Sequence, residues 1–173
     1  MWDTPHHRPT DLASSTLPIN LYLYSSQFHG SLSILISKKI LDVTCAIIID
    51  GPKVLVTQRS EIMKLPLKWE FPGGKIDSSE TPEACIAREL MEELNITVEI
   101  INRLSNSQYD YDNFTVNLIP FVARLAAGEL ILREHKAFKW ATVEELKFLD
   151  WAPADIPVLD NFLKSEYAPG RPV

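Results

Sequence analysis

Glu89, Glu92 and Glu93 stand three and four residues apart in the run Arg88-Glu89-Leu90-Met91-Glu92-Glu93, which follows the Gly73-Gly74 pair and an acidic stretch. On a helix, positions i, i+3 and i+4 share one face, so this run gathers three carboxylates on one side. Like charges at that spacing destabilise a helix by roughly 0.2–0.5 kcal/mol per pair. A hard divalent cation removes the penalty, and ligands that are all carboxylate oxygen point to Mg²⁺, with Mn²⁺ as a substitute, rather than to zinc. A merely hydrated acidic face carries the same pattern, so the helix by itself leaves both readings open.

The helix is expected to begin near Thr81-Pro82, with Thr81 as its cap and proline at the first helical position. At 100° per residue, Ala84, Ala87, Leu90, Met91 and Leu94 fall within roughly a third of a turn. They form the expected buried stripe, with the three glutamates opposite it. Val43–Ile49 and Val54–Gln58 are apolar, β-branched runs joined by Asp50-Gly51, a hairpin signal. Pro66, Pro72, Gly73 and Gly74 mark a loop before the acidic helix. Strands are expected over Thr97–Arg103, Asn113–Leu125 and Ala137–Ala141. Thr142-Val143-Glu144-Glu145 is a capping box opening a short helix, and Asp155–Lys164 is a final helix. Strands on both sides of one helix, with a second helix at the end, imply an α+β fold with a mixed sheet sandwiched between helices.

A chain of 173 residues suits one ordinary domain. The regular pattern occupies residues 38–165, leaving 166–173 as a tail. Residues 1–37 read as a poorly ordered extension, or as the product of a misplaced gene start. Mass spectrometry of the native N-terminus decides that point: Met1 or Trp2 found there excludes the misplaced start. Leu17–Ile36 is too broken by polar residues for a membrane span and lacks the layout of a signal peptide. A net charge of −6 argues against a surface for nucleic acid polymers and does not favour anionic membranes. Cys45 and Cys85 are the only cysteines and are expected as buried free thiols in a reducing cytoplasm. The residues do not choose between monomer and homodimer.

The stretch Gly74-Lys-Ile-Asp-Ser-Ser-Glu80-Thr-Pro-Glu-Ala-Cys-Ile-Ala-Arg88-Glu89-Leu-Met-Glu92-Glu93-Leu-Asn95-Ile96 resembles the signature of the Nudix hydrolases. That signature is glycine, five residues, Glu, seven residues, then Arg-Glu-apolar-any-Glu-Glu-any-Gly-apolar. Six of its seven fixed polar or glycine positions are met, a coincidence of roughly one sequence in 10⁵ at average residue usage. The departure is Asn95 in place of glycine. The position follows the helix and calls for a left-handed backbone, where Asn is the next-best residue. Trp69-Glu70-Phe71-Pro72-Gly73-Gly74-Lys75-Ile76 and Ala152-Pro153-Ala154-Asp155-Ile156-Pro157-Val158 are similar to the MutT branch of the family. The second is especially similar to bacterial CTP pyrophosphohydrolases, which share a group with 8-oxo-dGTP diphosphatases.

That resemblance implies a Nudix fold and a Mg²⁺-dependent pyrophosphohydrolase of nucleoside triphosphates, oxidised or modified dNTPs or CTP, that cleans the nucleotide pool. It implies metal ligation by Glu89, Glu92 and Glu93, with a backbone carbonyl from Gly73 or Gly74. Arg88 would orient a neighbouring glutamate, supported by Glu80, or these two would be simple helix-surface partners. Glu134, in the loop before the Trp140 strand, matches a mobile glutamate that ligates metal or accepts the proton of attacking water; an exposed loop residue is the other reading. His135 reads as structural. Arg59 matches a phosphate-binding arginine, and Lys75 is a weaker candidate. Asp155 would accept a hydrogen bond from an amino-bearing base such as cytosine unless it is protonated, or would cap the last helix. Phe71, Trp140 and Trp151 would stack on the base or pack the core. The alternatives are a Nudix enzyme for ADP-ribose or dinucleoside polyphosphates, and a non-catalytic nucleotide sensor.

Overall fold

The computed structural model of the chain describes residues 38–170. The extension expected over 1–37 lies outside the described residues, as do positions 171–173. Seven strands and three helices follow in order: β1 (Lys39–Asp50), β2 (Lys53–Gln58), β3 (Trp69–Glu70), α1 (Pro82–Leu94), β4 (Ile96–Arg103), β5 (Ser107–Asp110), β6 (Phe114–Gly128), β7 (Ala137–Thr142), α2 (Val143–Leu146) and α3 (Asp155–Lys164).

The sheet is mixed. β1 runs parallel to β6 from Lys39↔Phe114 to Ile48↔Ala123, and every other pairing between strands is antiparallel. One edge of β6 carries β1 and the other carries β5 and then β4. β7 pairs along the whole of β2, whose opposite edge is shared by the end of β1 and by β3. Because side chains alternate across a strand, successive residues divide between two cores. Cys45, Ile47, Val54, Val56, Val116 and Leu118 meet Val158, Leu159 and Phe162 of α3 on one face. Ala46, Ile48, Leu55, Ile119, Phe121 and Ala123 meet Ile86, Leu90 and Leu94 of α1 on the other. The expected sandwich of a mixed sheet between helices is what these two faces build.

The local signals at the helix ends hold. Thr81 Oγ1 accepts the N–H of Ala84 at 3.2 Å, with proline in the first turn. Asn95 is left-handed, at φ 58° and ψ 36°. The Thr142–Glu145 capping box is closed in both directions. The buried stripe of α1 is rotated from the expected one. It comprises Cys85, Ile86, Leu90, Glu93 and Leu94, while Ala84, Ala87 and Met91 are exposed. Glu93 therefore sits on the inner side of the helix, and the glutamates do not form one outward face. The wheel placed small alanines inward, but the larger Ile86 removes more apolar surface from water and decides the rotation.

Two short strands, β3 and β5, were not among the expected elements. β3 matters most, because it ties distant segments together. Trp69 donates its N–H to Asp150 O and accepts that of Ala152, both at 2.8 Å. This draws the Ala152–Asp155 segment against Phe71. Residues 72–76 then run beside β1, with Ala46 N–H on Pro72 O, Thr44 N–H on Gly74 O and Ile76 N–H on Asp42 O. Tyr167 and Ala168, in the segment read as a tail, pack onto the α3 core, where Ala168 is buried. Both cysteines are free and buried. Among the described residues no helix is long and apolar enough to cross a membrane.

Candidate active site

The inner half of α1 and the glycine segment meet because glycine lets them. A Cβ on Gly74 would fall inside van der Waals contact with the carboxylate of Glu89, and one on Gly73 would collide with the backbone carbonyl of Thr44. Gly73 also has φ +153°, where L side chains are strained. Gly74 O is taken by Thr44, through N–H at 2.8 Å and Oγ1 at 3.2 Å. That leaves the Gly73 carbonyl as the better backbone donor for a cation.

Arg88 organises the carboxylates around it. Its guanidinium donates to Glu80 at 2.9 Å through both Nε and Nη2, to Glu89 at 2.9 Å and to Glu92 at 3.1 Å. Glu80 is held at a pKa of about 2, chiefly by that fork from Arg88. Glu89 is pushed the other way, above its ordinary range, because burial outweighs the Arg88 bond. Glu92 is the outermost of the three, with 58% of its side chain exposed.

Glu93 is different in kind. It is only 7% exposed, and its Oε2 is buried without a hydrogen-bond partner. Burial first, then the charges of Glu89, Glu134 and Glu70, raise its pKa to about 8. A buried carboxylate without a partner is costly. Glu134 reaches this neighbourhood because its loop closes the end of α1: Ile131 N–H bonds Leu94 O and Arg133 N–H bonds Glu93 O, both at 3.0 Å. Those bonds satisfy carbonyls that a helix terminus leaves open. Glu134 itself is exposed.

The donor set is oxygen only, with one buried oxygen unsatisfied and a glycine cradle against Glu89. These features fit a hard divalent cation. Among the described residues, no three His, Cys, Asp or Glu side chains are already gathered as a metal cluster; Arg88 holds Glu89 and Glu92 in the positions they occupy here.

On the α3 side of the sheet a cavity of about 410 Å³ opens beside the glycines. Its wall is apolar (Val43, Cys45, Val116, Leu118, Phe114) with Arg59, Glu70, Tyr111 and Asp155 as polar groups. Asp155 is 5% exposed, and its Oδ1 accepts the N–H of Phe71 at 3.0 Å. Burial, then the charge of Glu70, pushes its carboxyl well above the usual range. It does not cap α3: the N-cap is Ala154, with no side-chain cap bond. Arg59 is ion-paired with Glu70, and its Nε donates to Lys64 O at 2.5 Å.

The sequence matches the NUDIX domain family over residues 39–162. The chain belongs to the Nudix family. This Nudix chain is 39% identical over 116 residues to a Mycobacterium tuberculosis (strain H37Rv) protein provisionally named 8-oxo-dGTP diphosphatase 2, covering 65% of the chain and 81% of that relative. It is 33% identical over 125 residues to the CTP pyrophosphohydrolase of Escherichia coli K12, covering 72% and 93% respectively. The solution structure of the E. coli ORF135 protein superposes with a TM-score of 0.65 at 32% identity, covering 76% of this chain and 94% of that one.

In the Nudix domain, Arg88, Glu89, Glu92 and Glu93 share one arm of the site with Gly73 and Gly74, and Glu134 stands close enough for its charge to act on Glu93. Arg59, Phe71 and Asp155 come together in the cavity. Lys75 does not join them. It is exposed and lies outside the cavity wall, which Lys64 lines instead. Trp151 packs on Phe71 at 4.8 Å and donates Nε1–H to Leu146 O, and Trp140 packs on the α1 core, so both tryptophans serve packing. Glu70, Tyr111 and Lys64 were missed. Glu70 was legible as the polar partner in a Trp-Glu-Phe alternation, but its contacts reach across the fold to Arg59 and His135, and nothing local announces them.

Proposed function

We propose that this Nudix protein is a cytoplasmic nucleoside triphosphate pyrophosphohydrolase, releasing a nucleoside monophosphate and pyrophosphate. The observation that carries the reading is Glu93: a buried carboxylate with an unpartnered oxygen, within reach of the charges of Glu89, Glu134, Glu70 and Arg59, the last two of which line a cavity of base-sized volume. Glu89, Glu92 and Glu93, with the Gly73 carbonyl, would hold Mg²⁺, and Glu134 would complete the set or accept a proton from water. A bound Mg²⁺ supplies neutralisation of phosphate charge and a more acidic water.

The chain's own residues divide the remaining work. Arg88 sets the rotamers of Glu89 and Glu92 through its fork of bonds. Arg59 faces the triphosphate from the cavity side. Asp155 and the Phe71 wall receive the base, and the apolar lining strengthens each polar contact there by excluding water. The relatives' names divide between 8-oxo-dGTP and CTP, and Asp155 accommodates either. As a carboxylate it accepts from an amino-bearing base, whereas as a buried acid it both accepts and donates. Two buried free thiols fit a reducing compartment.

The test is a panel of NTPs, dNTPs and their 8-oxo, 5-methyl and 5-hydroxy forms with Mg²⁺, scored for pyrophosphate release. Turnover of at least one triphosphate is expected, with kcat falling about 10³-fold in Glu93→Gln, the scale of losing one preorganised transition-state contact. Near-wild-type turnover in that variant removes Glu93 from the assignment, and no release from any triphosphate removes the function.

A further inference from the structure

We infer that His135 is a positioning residue for nucleotide binding, holding Glu70 so that Glu70 holds Arg59 in the cavity wall. The inference rests on the triphosphate reading above and adds a residue that does not itself line the cavity.

The chain of contacts is continuous. The His135 side chain is 1% exposed, and its Nε2 lies 2.9 Å from Glu70 Oε1. The other oxygen of Glu70 is paired with Arg59 Nη1. Arg59 Nε donates to Lys64 O at 2.5 Å. Arg59, Glu70 and Lys64 all line the cavity. Both oxygens of Glu70 are thus committed, one on each side, and its carboxylate has no freedom to turn without breaking one pair.

The proton on His135 can be located by chemistry. A carboxylate accepts only, so Nε2 must carry the hydrogen that bridges to Glu70. On the neutral ring Nδ1 would then be a bare acceptor, and it is the buried His135 atom that has no partner. An imidazole kept only to fill space gains nothing from this arrangement, because an apolar ring of the same size avoids the unsatisfied nitrogen. What the imidazole adds is the one directional donor on Glu70. Its backbone is also fixed from both sides: Arg133 N–H on Glu93 O at 3.0 Å, and Lys136 N–H on Gln58 O at 2.8 Å. The same loop therefore carries Glu134 toward the carboxylate arm and His135 toward the cavity arm.

Three variants of the full chain test this: His135→Phe keeps ring volume without the donor, His135→Gln keeps a donor that reaches Glu70, and His135→Asn keeps an amide too short to reach it. Steady-state kinetics on the preferred triphosphate with Mg²⁺ should show KM raised about tenfold in His135→Phe, the scale of one lost hydrogen bond to a charged group, with kcat changed less than threefold. His135→Gln should recover most of that loss. If His135→Phe does not fold, the contrast of Gln with Asn decides, with Asn showing the raised KM. In the wild type, long-range ¹H–¹⁵N spectra should place the imidazole proton on Nε2. An unchanged KM in folded His135→Phe, a Gln variant no better than Phe or Asn, or an Nε2 that carries no proton overturns the inference. A wild type that cleaves no triphosphate refutes the proposed function instead, and the imidazole spectrum still reports on the Glu70 contact.

Discussion

Replacing Glu93 by Gln should stabilise the metal-free protein at alkaline pH while lowering kcat about 10³-fold. The carboxyl of Glu93 ordinarily titrates at 4.5 and is raised to about 8 in the fold, first by burial and then by Glu89, Glu134 and Glu70. An acid whose folded pKa lies above its unfolded value keeps its proton in the folded state and releases it on unfolding. The stability that Glu93 contributes is therefore fully present below 4.5 and is lost as pH rises to about 8. Each pH unit in that window is worth at most about 1.4 kcal/mol. For one site the whole window amounts to about 4–5 kcal/mol as a ceiling, reduced because Glu89, also raised, shares the field. Asp155 tilts stability in the same direction, but it is present in both proteins and cancels in their difference. The buried amide of Gln costs about 1–3 kcal/mol if poorly bonded, a penalty that does not vary with pH. Urea unfolding in chelator, followed by tryptophan fluorescence, should show Glu93→Gln gaining about 2–4 kcal/mol on the wild type between pH 5 and pH 8. Curves that stay parallel across that range refute the reasoning, because they mean the carboxylate is neither desolvated nor crowded by like charge.

Further outcomes follow from the geometry around it. Gly74→Ala displaces only the flexible end of Glu89, so about 10²-fold of kcat should be lost with little change in the urea midpoint, whereas Gly73→Ala meets the backbone of Thr44 and should cost about 2–4 kcal/mol. Leu90→Ala, fully buried in the α1 core, should cost about 2–5 kcal/mol by urea unfolding. If Asp155 reads the base, the ratio of kcat/KM for CTP over 8-oxo-dGTP should rise with pH as its buried carboxyl ionises, and Asp155→Asn should flatten that dependence.

Much of the fold was legible because its signals are local. Asp50-Gly51, the Thr81-Pro82 start, the Thr142–Glu145 box and Asn95 each act within four residues, and each appears where the residues place it. The proposed site was legible to the extent that one helix and one glycine pair carry it. What escaped was set at long range. The rotation of α1 depends on which side chains the sheet can accept, so the wheel misjudged Ala84, Ala87 and Met91 and left Glu93 outside when it is inside. β3 is two residues long and exists because Asp150 and Ala152 supply its other edge. Lys75 stood beside the glycines in sequence, yet the chain there turns its side chain outward, and a loop after β2 brings Lys64 to the cavity. Asp155 offered two roles to a reader of the sequence, and the backbone N–H of Phe71, 84 positions away, takes the bond that a helix cap would have made.

Cation uptake at the α1 carboxylates is the point on which the proposed chemistry turns. Calorimetric titration with Mg²⁺ or Mn²⁺, in the presence of a non-hydrolysable triphosphate analogue, should show binding to the wild type and at least about tenfold weaker binding to Glu93→Gln, the loss of one charged oxygen ligand. Equal uptake by the two proteins, or none by either, would contradict it.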